Sequence, residues 1–94
     1  MTILIDQQVL KRLQDWTVID EKLHRIFILE DFVQALEFMN QVAIVAEKMH
    51  HHPEWSNVYK TVTVDLTTHR EGCITQLDVE LATKMNDIFN QMSK

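Results

Sequence analysis

The sequence predicts a single α+β domain with the element order α-β-β-α-β-β-α, in which three helices pack on one face of a four-stranded antiparallel sheet. The chain has 94 residues, of which 46% are hydrophobic, and this is enough for one core. Three segments carry apolar residues at the helical spacing of three and four. Between them lie two pairs of short segments whose alternating or β-branched residues are typical of strands.

The first half of the chain is expected to contain a short helix, a β-hairpin and the longest helix. Asp6 is a suitable N-cap for the short helix. Strands are predicted at residues 16–19 and 25–29, on either side of a polar break at residues 20–22. Because the break is short, the two strands are expected to pair with each other.

The long helix is predicted to begin at Glu30 and Asp31 and to end near His50, because Pro53 disfavours helix at the residue before it. Its buried stripe is predicted from seven apolar residues, which are Phe32, Ala35, Leu36, Met39, Val42, Ala43 and Ala46. Three further apolar residues fall off this stripe, namely Phe38, Ile44 and Val45. Apolar surface left over in this way is typical of an interface between identical subunits.

The second half is expected to form another strand pair and a final helix. The strands are predicted within residues 57–68, with a tight turn near Lys60. Thr75 and Asp78 have the spacing of a capping box, in which each residue satisfies a backbone N–H at the start of a helix. The helix after them has an apolar stripe made of Leu77, Leu81, Met85, Ile88, Phe89 and Met92.

Composition and charge exclude several classes of function. The net charge is −5 and the basic residues form no cluster, which argues against binding to nucleic acid. A single cysteine, Cys73, cannot form an intrachain disulfide and suits a reducing compartment. No apolar run approaches the ~20 residues that a membrane-spanning helix needs, and no signal-peptide pattern begins the chain. A cytoplasmic location is therefore predicted.

Three consecutive histidines, His50, His51 and His52, fall where the long helix ends, and His69 follows the last predicted strand. The simplest interpretation of His50 is a C-terminal helix cap. A metal site is a second interpretation, but consecutive side chains point in different directions and do not readily share one ion. We therefore expect no metal.

General acid–base catalysis is the third interpretation, because imidazole exchanges protons near neutral pH. His51, His52 and His69 can transfer protons, and Glu47 and Asp78 can orient or tune them. Asp78 is equally well explained as an acid in the first turn of a helix, and Glu47 as a solvated helix residue. No activated cysteine or serine motif accompanies them, so a reaction made only of proton transfers fits this set.

The histidines belong to a wider pattern that resembles the signature of the pterin-4a-carbinolamine dehydratase family. Its residues, at fixed spacings, are Glu47, His51-His52-Pro53, Tyr59, His69 and Asp78. The run from His51 to Tyr59 is similar to the core phrase of the family, and Thr67-Thr68-His69 to its Ser/Thr-Thr-His phrase. Because the resemblance covers nearly the whole chain, residues 1–94 are predicted to form one domain of this family.

The resemblance implies an activity: dehydration of a 4a-hydroxytetrahydropterin to quinonoid dihydropterin and water, with no metal or other cofactor. It identifies His51 and His69 as the leading acid–base residues, with His52 holding the pterin and sharing the role. Glu47 and Asp78 would orient or tune these histidines. The predicted contacts to substrate are His50, His51, His52, Thr67, Thr68, His69, Arg70 and Trp16. His50 stands where the family often has Asp, and Arg70 where animal members are expected to carry an acidic residue.

The resemblance also implies partners. The substrate is a small pterin, the chain forms a homodimer or homotetramer, and its function is linked to an aromatic amino acid hydroxylase whose pterin it recycles. Animal members of the family also bind a homeodomain transcription factor. The alternative function is therefore a protein-interaction or coactivator module that retains the pterin pocket. A variant of the enzymatic interpretation is a role in another pterin pathway, such as molybdopterin metabolism. Neither direct binding of nucleic acid nor association with a membrane is expected.

Overall fold

The structure, a computed structural model, describes residues 7–93, and its elements follow the predicted order. These elements are α1 (Gln7–Arg12), β1 (Thr17–Ile19), β2 (Lys22–Ile28), α2 (Phe32–Met49), β3 (Glu54–Val58), β4 (Thr61–Leu66) and α3 (Gln76–Met92). The predicted N-cap at Asp6 lies outside the described residues. Within residues 7–93, no helix is both long enough and apolar enough to cross a membrane.

The four strands form one antiparallel sheet in the order β1-β2-β4-β3. Leu23 is opposite Leu66 and Phe27 is opposite Val62, and all four side chains are buried beneath the helices. The turn between β1 and β2 places Asp20 and Glu21 in the left-handed region, as a two-residue hairpin turn requires. The predicted fold class is therefore confirmed.

The core is built around Phe27 of β2, whose ring contacts Phe38 of α2 at 4.6 Å and Phe89 of α3 at 5.2 Å between ring centroids. The prediction that Phe38 lies on the outer face is wrong, because this side chain is fully buried. Conversely, Phe32 and Leu36 were predicted to be buried and are 46% and 47% exposed. The apolar side chains of α2 are distributed around much of its circumference, so the aromatic contacts in the core determine which side of the helix faces inwards.

The strand β3 begins at Glu54, three residues before the predicted start, and pairs Glu54 with Asp65 of β4. The strand β4 ends at Leu66, so His69 lies in a turn beyond it. This turn is closed by a backbone hydrogen bond from Thr68 N–H to Cys73 C=O at 3.0 Å. The end of β4, the end of α2 and the start of α3 consequently lie at one edge of the domain.

The end of α2 has the backbone geometry of a Schellman motif, which fixes where the histidines lie. His50 is in the left-handed region with φ 53°, and its N–H donates to the Glu47 carbonyl at 3.2 Å. His51 N–H donates to the Ala46 carbonyl at 3.1 Å. The predicted cap at His50 is therefore confirmed, and the reversal of the chain there turns His51 back towards α3.

Candidate active site

A pocket of about 810 Å³ lies between the end of α2, the turn after β4 and the start of α3. It brings together seven of the eight predicted substrate contacts, namely His50, His51, His52, Thr67, Thr68, His69 and Arg70. Thr75 and Leu77 from the start of α3 also line it. The fold thus returns His69 to the histidine triplet, from which it is separated by two strands in sequence.

At the buried side of this pocket, His51 contacts the carboxylate of Asp78, with 2.6 Å between Nε2 and Oδ1. The side chain of Asp78 is fully buried and that of His51 is 9% exposed. Because a carboxylate can only accept here, the contact places an N–H on Nε2 and leaves Nδ1 as the other functional nitrogen of the ring. A buried imidazole fixed in this way is suited to proton transfer.

The second oxygen of Asp78 is occupied by the start of α3 and by the turn after β4. Oδ2 accepts a hydrogen bond from Thr75 N–H at 2.9 Å and another from the Thr68 hydroxyl at 2.8 Å. The bond from Thr75 completes the predicted capping box, which is therefore confirmed. Asp78 thus caps α3 with one oxygen and holds His51 with the other, so both interpretations of this residue apply together.

His52 and Glu47 form a second pair at the rim of the pocket. His52 Nε2 lies 2.8 Å from Glu47 Oε1, and both side chains are exposed. The hydrogen bond from His52 lowers the pKa of Glu47 below its ordinary value, and the charge of His52 acts in the same direction. Glu47 therefore remains ionised at neutral pH and holds the imidazole of His52.

His69 forms a third pair, with a carboxylate that the sequence analysis did not select. His69 Nε2 lies 2.8 Å from Glu54 Oε2, and Lys22 Nζ lies 2.7 Å from the other oxygen of Glu54. The hydrogen bond from Lys22 is the main reason that the pKa of Glu54 is lowered. This contact was not predicted because β3 was expected to begin at residue 57. The strand begins at Glu54 instead, which places this side chain on the outer face beside the end of β4.

Trp16 is the one predicted substrate contact that lies away from the pocket. Its indole is buried, packs edge-on against Phe27 and donates from Nε1 to Asn86 Oδ1 at 2.8 Å. Asn86 also accepts from the guanidinium of Arg25, which stacks on the Phe27 ring. In this chain Trp16 therefore joins α3 to the sheet, and the geometry gives no support to a role in binding substrate.

Within the part of the chain that the structure describes, no three His, Cys, Asp or Glu side chains converge in an arrangement able to hold a metal ion. The carboxylates of the site are instead directed at imidazoles, one to each of His51, His52 and His69. Such an arrangement can deliver a proton to one position of a bound ligand and remove a proton from another.

Comparisons with known proteins identify the family of this chain. Residues 4–88 match the family model described as pterin 4 alpha carbinolamine dehydratase. A relative from Bradyrhizobium diazoefficiens, provisionally named a pterin-4-alpha-carbinolamine dehydratase, is 50% identical over 87% of this chain and 84% of its own. A similarly named relative from Jannaschia sp. is 58% identical over 70% of this chain and 67% of its own.

Among solved structures, a protein from Brucella melitensis described as a transcriptional coactivator/pterin dehydratase has the same fold. Its TM-score is 0.87 at 42% identity, with 93% of this chain and 98% of that chain covered. The matches to the family model and to these relatives extend over most of the sequence. The chain therefore belongs to the pterin 4 alpha carbinolamine dehydratase family.

Proposed function

We propose that this protein removes water from a 4a-hydroxytetrahydropterin, giving quinonoid dihydropterin, by general acid–base catalysis from histidine. The reaction breaks the bond between C4a and its hydroxyl, and the hydroxyl leaves as water after it accepts a proton. The proton on N5 is lost as the C4a–N5 double bond forms. One group must therefore donate a proton and another must accept one, and no electrons are exchanged with a cofactor.

The observation that carries this proposal is one pocket lined by four histidines, of which His51, His52 and His69 are each paired with a carboxylate. His51 and His69 are assigned the acid and base roles, since they approach the pocket from different elements of the fold. His52, at the rim, holds the pterin and shares the proton transfer. The backbone groups of Thr67, Thr68 and Arg70, which flank His69, are assigned to binding the polar pterin ring. The Thr68 hydroxyl is already held by Asp78 and Thr75.

A direct test is to generate the carbinolamine with an aromatic amino acid hydroxylase and follow its decay by ultraviolet absorbance, with and without this protein. An enzyme shortens the lifetime of the carbinolamine in proportion to its own concentration. A lifetime equal to that in buffer, at protein concentrations up to that of the pterin, would exclude the proposed activity. The same assay tests the proposed role in pterin recycling, because recycling requires this dehydration step. An unchanged lifetime would exclude that role as well.

A second candidate function is a protein-interaction module, and one comparison favours it. The similar protein from Brucella melitensis is described as a coactivator as well as a dehydratase. In this chain α2 exposes Val33, Leu36 and Ile44, whose exposed fractions are 69%, 47% and 54%. We assign this apolar surface first to assembly of identical subunits, as a dimer or a tetramer. A protein that assembles but leaves the carbinolamine lifetime unchanged would favour the second candidate.

A further inference from the structure

Unlike His51, His69 is not held by burial. Its side chain is 75% exposed and lies in the turn that follows β4. An exposed imidazole moves between rotamers on a fast timescale, and each orientation aims its nitrogens differently. A proton-transfer group must instead be held in the geometry of the reaction, so some contact has to restrict this ring.

The contact that restricts His69 comes from the outer face of the sheet. Glu54 begins β3 and is opposite Asp65, which places its side chain on the face away from the helices. Lys22 begins β2 and precedes Leu23, which is opposite Leu66 at the end of β4. Lys22 and Glu54 thus approach each other across the end of β4, beside the point where the chain leaves towards His69.

The two oxygens of Glu54 have separate partners. Oε1 is 2.7 Å from Lys22 Nζ, and Oε2 is 2.8 Å from His69 Nε2. Lys22 fixes the plane of the carboxylate, and this aims Oε2 at the imidazole. The lowered pKa of Glu54, due first to the hydrogen bond from Lys22, keeps the carboxylate charged at neutral pH.

We propose that Glu54 is a positioning residue for His69, and that Lys22 acts behind it by fixing the carboxylate of Glu54. The kinetic consequence of this inference rests on the proposed function. The contact between Glu54 and His69, called here the tether, does not depend on that function. With Nε2 engaged by Glu54, Nδ1 is the ring nitrogen left to exchange a proton with the substrate. His51 and His69 then use the same design, in which a carboxylate holds Nε2, although one pair is buried and the other is exposed.

The kinetic test is a double-mutant cycle on dehydration, because a residue that acts only through His69 has no effect once His69 is gone. Glu54→Gln keeps the size of the side chain and removes its charge. It is expected to lower kcat about 10-fold with KM nearly unchanged, comparable to the lower end of the range for residues that orient metal-binding histidines. Lys22→Met is expected to lower kcat by less, since it leaves the carboxylate in place.

In the His69→Ala background, the same Glu54→Gln change is expected to alter kcat by less than about twofold. The matched control is Glu37→Gln, which removes one exposed carboxylate from α2, away from the pocket, and is expected to leave kcat unchanged. The unfolding midpoint of Glu54→Gln should stay near that of the wild type, because exposed ion pairs contribute little to stability. A 10-fold loss that persists without His69, or no loss beyond that of the control, would overturn the proposal.

A second measurement detects the contact between Glu54 and His69 directly and does not depend on catalytic activity. In ¹⁵N-labelled protein at fixed pH, long-range ¹H–¹⁵N spectra report both ring nitrogens of each histidine. Glu54→Gln is expected to shift the ring nitrogen signals of His69 and to leave those of His51 in place, while Glu37→Gln shifts neither. Unchanged His69 signals in an active protein refute this inference alone, whereas shifted signals in a protein without dehydratase activity refute the proposed function and keep the tether.

Discussion

Replacing Asp78 with Asn tests whether one buried carboxylate supports both the fold and the site. The amide oxygen can take the place of Oδ2 and keep the bonds from Thr75 N–H and the Thr68 hydroxyl. The amide nitrogen then faces His51 Nε2 in place of Oδ1, which is 2.6 Å away in the wild type. Two donors cannot share this contact, so the proton of His51 must move to Nδ1.

The stability cost follows because one buried hydrogen bond to a charged group, worth about 1.5–3 kcal/mol, is exchanged for a neutral one, worth about 0.5–1.5 kcal/mol. For a domain of this size, the resulting loss of about 1 kcal/mol lowers Tm by roughly 4–8 °C. Asp78→Ala also leaves Thr75 N–H without its acceptor and is expected to cost more, about 3–5 kcal/mol. Asp87→Asn makes the same change at an exposed position of α3 and should stay within about 0.5 kcal/mol of the wild type.

The activity of Asp78→Asn is expected to fall by roughly 10²–10⁴, because the imidazole of His51 is held with its proton on the wrong nitrogen. Urea unfolding followed by circular dichroism measures the stability, and the decay of the carbinolamine measures the activity. An unfolding midpoint and a rate equal to those of Asp87→Asn would show that Asp78 supports neither α3 nor His51, and the reasoning would fail.

Three further predictions concern metal, pH and assembly. Dialysis against EDTA is expected to leave dehydration unchanged, and a loss that zinc restores would contradict this. The pKa of Glu47 is lowered from 4.5 by its hydrogen bond from His52, so its stabilising effect is present above pH 4.5 and is lost as the pH falls through the lowered value. Because this pair is exposed, the urea midpoint of the wild type should exceed that of Glu47→Gln only slightly at pH 7, and the two should converge in acid; a constant difference would refute this. Light scattering is expected to give a multiple of 11.1 kDa, and a mass near 11.1 kDa itself would disprove assembly.

The element order could be predicted because local patterns determine it. The capping box of Thr75 and Asp78 and the left-handed cap at His50 are local backbone features, and the residues there indicate them directly. The orientation of α2 could not be read in the same way. Its apolar residues cover too wide an arc, and only the aromatic contacts of Phe38 with Phe27 and Phe89 select the buried side.

Glu47 and His52 were both selected from the family pattern, but their pairing was not predicted. The chain reverses at His50, so that His52 contacts Glu47 while His51 contacts Asp78. Glu54 was missed because its contact with His69 depends on strand register, which a slip of one residue would reverse. Trp16 was assigned to substrate from the resemblance alone. Its indole is instead held by Asn86, 70 positions along the chain, and no local pattern reports a contact at that separation.

The measurement that tests the central claim most directly is the decay rate of the carbinolamine as a function of protein concentration, for the wild type and for His51→Ala and His69→Ala. The wild-type rate should rise linearly from the rate in buffer. Each variant should have a slope lower by roughly 10²–10⁴, the usual contribution of a positioned proton-transfer group. Equal slopes for wild type and both folded variants would contradict the assignment of this chemistry to the paired histidines.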